Sequence, residues 1–170
     1  MKGRISIQQG DITQMETDAV VNAANKFLAP GGGVAGAIHQ EAGPDLYEEC
    51  RKLGGCEAGE AKITKGYDLP ASYVIHTVGP VYGEEGGREK DLLISCYRES
   101  LKLAEEYELR SIAFPLLSTG AFGFPKEEAV RIAIDTIEEF LGKEGKYLEK
   151  VVIVAFTSSD AEWCERILEE

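Results

Sequence analysis

Hydrophobic residues follow two rhythms along this chain. Short runs rich in β-branched and aromatic residues, Ile5 to Gln8, Ala19 to Asn22, Ala61 to Lys65, Tyr73 to Thr77, Ser111 to Pro115 and Val151 to Phe156, predict six strands. Longer stretches repeat every three or four positions. Leu92, Leu93, Cys96, Tyr97, Leu101 and Ala104 do so within Glu89 to Glu106; Ala129, Ile132, Ala133, Ile137 and Leu141 do so within Lys126 to Leu141, with Gly142 as the expected stop. Another helix is expected to begin near Val34 and break at Gly43-Pro44. A last one should cover Ala161 to Leu168, with Ser158, Ser159 and Asp160 as N-cap candidates. Strands alternating with helices predict an α/β fold with a largely parallel central sheet covered on both faces. In such sheets ligands bind beyond the carboxyl ends of the strands, which here means Asn22 to Gly36, Leu116 to Pro125 and Thr157 to Asp160. Without a repeat, low-complexity tract or linker, residues 1–170 are expected to form a single domain.

Composition narrows the function classes. With 170 residues, 44% hydrophobic and 28% charged, the chain reads as an ordinary globular domain. Its longest apolar run, Val151 to Phe156, is too short to cross a bilayer, so no membrane partner is expected. Met1 to Arg4 runs into the alternating Ile5 to Gln8 rather than an apolar leader, and a cytoplasmic address is expected. Eighteen Lys plus Arg against 30 Asp plus Glu give a net charge of −12, which disfavours nonspecific nucleic-acid binding. Cys50, Cys56, Cys96 and Cys164 contain no C-x-x-C pair and only two histidines accompany them, so no metal site is expected and the thiols read as reduced packing residues.

The chemistry concentrates in loops. Gly31-Gly32-Gly33-Val34-Ala35-Gly36 contains the literal G-x-G-x-x-G of dinucleotide-binding folds, but Ala23 to Pro30 separates it from its strand, where the fingerprint needs the first glycine at the strand-to-helix turn. The run is either a plain flexible turn or a set of backbone N–H groups at a helix start, suited to a phosphate. Ser118 to Pro125 forms a second glycine loop ahead of a helix, expected to present backbone donors and hydroxyls to the other side of a diphosphate. Phe122 and Phe124 are its apolar walls or ordinary packing. Asn22-Ala23-Ala24-Asn25 ends the second strand, and its carboxamides either cap their own turn or bind sugar hydroxyls. Asp11, in Gly10 to Thr13, is either a helix N-cap or a reader of an adenine amine, with the Ile12 N–H on a ring nitrogen.

In combination these segments resemble the macrodomains, the ADP-ribose-binding modules. Gly10 to Thr13, Val21 to Asn25, Gly31 to Ile38, Val74 to Pro80, and Phe114-Pro115 with Ser118 to Gly123 match that family's motifs in order, and the resemblance runs from about Ile5 to Trp163. It implies a three-layer α/β/α sandwich with a central mixed, largely parallel sheet, binding ADP-ribose or an ADP-ribosylated protein without a cofactor, as a monomer. Carried over by position, Asp11 and Ile12 read adenine. Gly32, Gly33, Val34 and the loop Ser118, Thr119, Gly120, Ala121, Phe122 hold the diphosphate, with Phe122 near the distal ribose. Asn25 contacts that ribose, Asn22 lines the pocket, and Phe156 either stacks on adenine or joins the core.

The resemblance further implies hydrolysis of ADP-ribosyl esters, with Asn25 and His39 as catalytic candidates. His39, one turn beyond the glycine loop, either approaches the ribose or is a bystander; His76 reads as a structural histidine hydrogen-bonded to backbone. Many hydrolytic members carry an aspartate where Ala35 stands, ten positions after Asn25. A second branch has alanine there, and some of its members still remove ADP-ribose from proteins. The competing readings are a non-catalytic ADP-ribose reader, a nicotinamide-dinucleotide oxidoreductase, and a nucleic-acid or poly(ADP-ribose) binder.

Overall fold

The computed structural model describes residues 2–170. Six strands form one sheet: β1 (Ile5–Gln9), β2 (Ala19–Ala23), β3 (Ala61–Lys65), β4 (Tyr73–Thr77), β5 (Ser111–Phe114) and β6 (Lys150–Ala155). Their spatial order is β1-β6-β5-β2-β4-β3, parallel except for β3, which runs antiparallel along β4. This is the mixed, largely parallel sheet expected.

Side chains alternate across the sheet and meet a core on each face. Ala19, Val21, Ile75, Ile112, Phe114, Val151 and Ile153 pack under α3 (Glu89–Glu106), α4 (Lys126–Lys143) and α5 (Ser158–Leu168). Val20, Val74, Ala113, Val152 and Val154 pack under α1 (Gly33–Ala42) and α2 (Pro44–Cys50). The result is a three-layer α/β/α sandwich. All four cysteines are free and buried, and burial pushes each thiol up to about 11, so they pack as protonated groups.

The break between α1 and α2 falls at Gly43, where a φ of 88° ends one helix and Pro44 starts the next. Several strand ends shift by one residue, as where β5 ends at Phe114 rather than Pro115, and three boundaries differ for a physical reason. α4 continues through Gly142 to Lys143, and the Glu144 N–H still donates to the Phe140 carbonyl at 2.7 Å. One glycine costs about 1 kcal/mol in a helix, too little to end one whose last turn buries Phe140 and Leu141. The N-cap of α5 is Thr157, not Ser158, Ser159 or Asp160. Its backbone is extended and its Oγ1 accepts from the Asp160 N–H at 3.2 Å, which starts the helix earlier. β6 stops at Ala155, leaving Phe156 outside the sheet.

Candidate functional site

The carboxyl ends of β1, β6, β5, β2 and β4 lie along one edge, and the loops that follow them succeed one another along it in that order. At one end the Gly10 N–H donates to the Ala155 carbonyl at 2.9 Å, which extends the β1–β6 pairing past Gln9 and puts Asp11 and Phe156 at the same corner of the sheet. Asp11 is a cap as well as a candidate reader: its Oδ1 accepts from the Thr13 N–H at 2.9 Å and the Thr13 hydroxyl at 2.7 Å, holding Ile12–Gln14 in a short 3-10 turn. Asp11 is exposed and the Ile12 side chain is buried beneath it. Phe156 is 80% exposed, which excludes its reading as a core residue and leaves a bare ring at that corner. Across this corner the Lys126 ammonium pairs with the Asp160 carboxylate at 2.9 Å, tying the start of α4 to that of α5.

Further along this edge, after β2, is the start of α1. Gly32 is its N-cap and offers no side-chain cap, so the first-turn N–H groups have no side-chain acceptor there. Of the five α-helices, α1 alone has no acidic residue in its first turn; α2, α3, α4 and α5 carry Asp45, Glu89 and Asp91, Glu127 and Glu128, and Asp160. The positive end of its dipole is left uncompensated. Gly36 seals the turn: a Cβ there would stand 2.3 Å from the Gly31 carbonyl oxygen, so the glycine loop can fold onto the helix only at a glycine.

The second loop is built differently. The expectation that Ser118 and Thr119 present their hydroxyls to the ligand is not met. Ser118, at φ 66°, has its Oγ buried against Gly79, where an added Cβ would be only 2.1 Å away. The Thr119 hydroxyl donates to the Leu116 carbonyl at 3.0 Å. Gly120 and Ala121 are exposed, so this loop offers backbone. Phe124 is core and Phe122 is half-buried. The loop over Tyr82 to Arg88, for which the sequence carried no placement signal, docks here. The Tyr82 N–H donates to the Phe122 carbonyl at 2.8 Å, and the Tyr82 ring stands edge-on to Phe124 at 5.0 Å. Glutamates fold that loop from within: Glu89 accepts from the Gly83 and Glu85 N–H groups, which hold its carboxyl below the usual carboxylate range, and Glu85 accepts from the Val81 N–H.

The two asparagines part company. Asn25 Oδ1 accepts from the Phe27 and Ala29 N–H groups, both at 3.1 Å, and its Nδ2 donates to the Ala29 carbonyl at 2.8 Å. The self-capping turn is therefore real. A carboxamide nitrogen carries two hydrogens, so Asn25 retains one donor, half-exposed beside Gly31. Asn22 corrects the expectation that it lines the pocket. It is wholly buried, and its Nδ2 donates to His76 Nδ1 at 3.0 Å. The Thr64 hydroxyl donates to the Lys65 carbonyl and so accepts from His76 Nε2 at 3.0 Å. His76 is structural, as expected, but its partners are side chains rather than backbone. Burial, with His39 as a lesser cause, pulls its pKa down to about 3 and keeps the ring neutral.

His39 is likewise corrected as a catalytic candidate. Its Cα lies roughly 9 Å along α1 from Gly33. The ring is 7% exposed, edge-on to Tyr47 at 6.2 Å and 6.4 Å from the His76 ring, on the underside of the helix. Burial lowers its pKa. Among the described residues no group of three or more His, Cys, Asp or Glu could hold a metal ion.

Comparison with known proteins agrees with this geometry. The sequence pattern of the Macro domain family matches residues 21–133. A macro domain-containing protein of Methanosarcina mazei is 54% identical over 167 residues, covering 97% of this chain and 88% of its own. The ADP-ribose glycohydrolase MACROD2 of Xenopus laevis is 51% identical over 168 residues and 98% of this chain, which spans only 40% of that relative's length. Among solved structures, a mutant Oceanobacillus iheyensis macrodomain with ADPR superposes with a TM-score of 0.92 at 40% identity, covering 96% of this chain and 90% of the other. The Trypanosoma brucei macrodomain in complex with ADP-ribose superposes with a TM-score of 0.90 at 44% identity, covering 96% and 68%. With its motifs and sheet order in agreement with these matches, this chain belongs to the macro domain family.

Proposed function

We propose that this chain binds ADP-ribose along the carboxyl edge of the sheet and hydrolyses ADP-ribosyl esters, on protein carboxylates or as O-acetyl-ADP-ribose. The observation that carries this reading is the bare, acid-free start of α1, on the same sheet edge as the Asp11–Phe156 corner and the Asn25 loop. A dianionic diphosphate there gains N–H donors and the helix dipole without a cation, which fits a chain of charge −12. Relatives support it: MACROD2 is named an ADP-ribose glycohydrolase, and related macrodomains hold ADP-ribose.

In this scheme Asp11 accepts the adenine amine through its carboxylate, the Ile12 N–H meets a ring nitrogen, and Phe156 covers the base. Gly32, Gly33 and Val34 face one side of the diphosphate, and the backbone of Gly120, Ala121 and Phe122 faces the other. Asn25 gives its remaining Nδ2 hydrogen to a distal ribose oxygen. Its Oδ1 is taken up by the loop, so Asn25 orients the sugar as a donor only. Water attacks either the anomeric carbon, whose bond to the carboxylate oxygen breaks so that the carboxylate leaves, or the ester carbonyl carbon, whose bond to the ribose oxygen breaks so that the sugar leaves as its hydroxyl with a proton from the water. No side-chain base stands in the first turn of α1, where Ala35 is buried, so a phosphate oxygen and the loop amides position the water.

Ala35 also favours a second reading, an ADP-ribose reader. The Oceanobacillus iheyensis macrodomain has been solved with an asparagine and, separately, an aspartate replaced by alanine; those two positions stand ten apart, the spacing of Asn25 and Ala35. The test is release of labelled ADP-ribose from a protein modified on glutamate, by wild type and Asn25→Ala. A hydrolase loses rate in the variant with a modest loss of affinity. Binding without release by the wild type makes this a reader.

A further inference from the structure

Two aromatic rings stand bare at the carboxyl edge of the sheet, Phe156 at 80% and Phe27 at 81% exposure. The first belongs to the adenine corner. The second has no part in the site as described. From β1 the edge crosses three inter-strand steps to β2, roughly 14 Å, and Phe27 follows β2 in the turn that Asn25 holds together. It lies on the far side from adenine, because its neighbour Lys26 turns toward the segment that leads into β3: the Cys56 N–H donates to the Lys26 carbonyl at 2.9 Å. If Asn25 holds the distal ribose, Phe27 stands beyond it, where the group attached to that ribose must emerge.

We propose that Phe27 contacts the polypeptide that carries the ADP-ribose; the inference rests on the functional reading above. The turn is rigid before any partner arrives, since its carbonyl at Lys26 and its amide at Phe27 are both hydrogen-bonded, so the ring is held outward at little ordering cost. A ring so exposed has nothing to gain from an acetyl group, which ends too soon, and much to gain from a peptide. Charge does not choose the partner here: Lys26 pairs with Glu57 at 3.7 Å, Arg51 pairs with Glu48 at 2.8 Å, and the Lys62 ammonium donates to the Leu53 carbonyl, so what the turn offers a peptide is the ring.

The test uses the whole chain, wild type and Phe27→Ala, with two ligands in calorimetry: free ADP-ribose, and a glutamate-rich peptide carrying ADP-ribose through a hydrolysis-resistant amide. Phe27→Ala removes no packing and keeps the amide that Asn25 holds, so the fold is retained. The wild type is expected to bind the peptide conjugate at least tenfold tighter than free ADP-ribose, and the variant to lose about tenfold on the conjugate while changing less than twofold on free ADP-ribose. Equal wild-type affinity for the two ligands, or a variant that weakens both alike, overturns the proposal while the functional reading stands. A wild type that binds neither ligand overturns the functional reading, and this inference with it.

Discussion

Two helices, α1 and α4, begin at the same edge of the sheet after a glycine-containing loop, yet only one start is open to an anion. α4 follows Pro125 and carries Glu127 and Glu128 in its first turn, so its dipole is answered within the chain. α1 starts on the last of three glycines, lacks a side-chain cap and has no acid in its first turn. A glycine loop before a helix is therefore not enough to make a phosphate site. The helix must also be left without its own negative partner, which costs stability that a bound anion would recover.

The sharpest way to break this comparison is to give α1 what α4 already has. Gly32 has an extended backbone with open space at its Cβ, so Gly32→Asp fits as an N-cap. Calorimetry should show ADP-ribose affinity falling at least about 100-fold, ~3 kcal/mol, while the melting temperature holds or rises. Affinity kept within a few-fold would remove α1 as the anion site.

The underside of α1 supplies the next effect. His39 and His76 are buried with lowered pKa values, His76 down to about 3, against about 6.5 unfolded. The unfolded chain then binds protons that the folded rings refuse. Stability is full above pH 6.5 and falls as pH drops toward 3. Urea denaturation should show His76 alone costing about 2 kcal/mol between pH 6.5 and pH 5. A flat profile over that interval would show that the ring accepts its proton without opening the Asn22–His76–Thr64 chain.

The second loop should respond more weakly. Tyr82→Ala deletes the ring against Phe124 but keeps the Tyr82 to Phe122 backbone bond. It is expected to weaken ADP-ribose binding about fivefold, ~1 kcal/mol, in the same calorimetric assay. Smallest of all, Glu128→Gln at α4 should lower stability by about 0.5 kcal/mol in thermal melts and leave ADP-ribose affinity within twofold. A large loss of affinity there would mean that the two helix starts are not as different as their first turns suggest.

Much of this was legible in the residues, because backbone path is a local property. Short β-rich runs located the six strands and helical spacing the cores of α3 and α4, loop and cap signals placed α1 and α5, Gly43-Pro44 marked the break between α1 and α2, and the ordered motifs pointed to the macro domain family. Ends were less legible. Gly142 was overridden by the burial of Phe140 and Leu141, and Thr157 outran three other capping residues because it alone has the extended backbone a cap needs.

What sequence could not decide was which way each polar group faces. Asn22 and Asn25 are the same residue type three positions apart, but β2 carries the first into the layer beneath α1 and α2, while the second falls in the turn beyond the strand. Helix rotation turned His39 inward, packing against Gly79 buried the Ser118 hydroxyl, and the end of β6 left Phe156 bare. Local sequence sets the φ and ψ that a segment favours. Whether a side chain meets solvent, ligand or another layer depends on residues far away in the chain, and those are brought together only when the sheet and its two helical layers close.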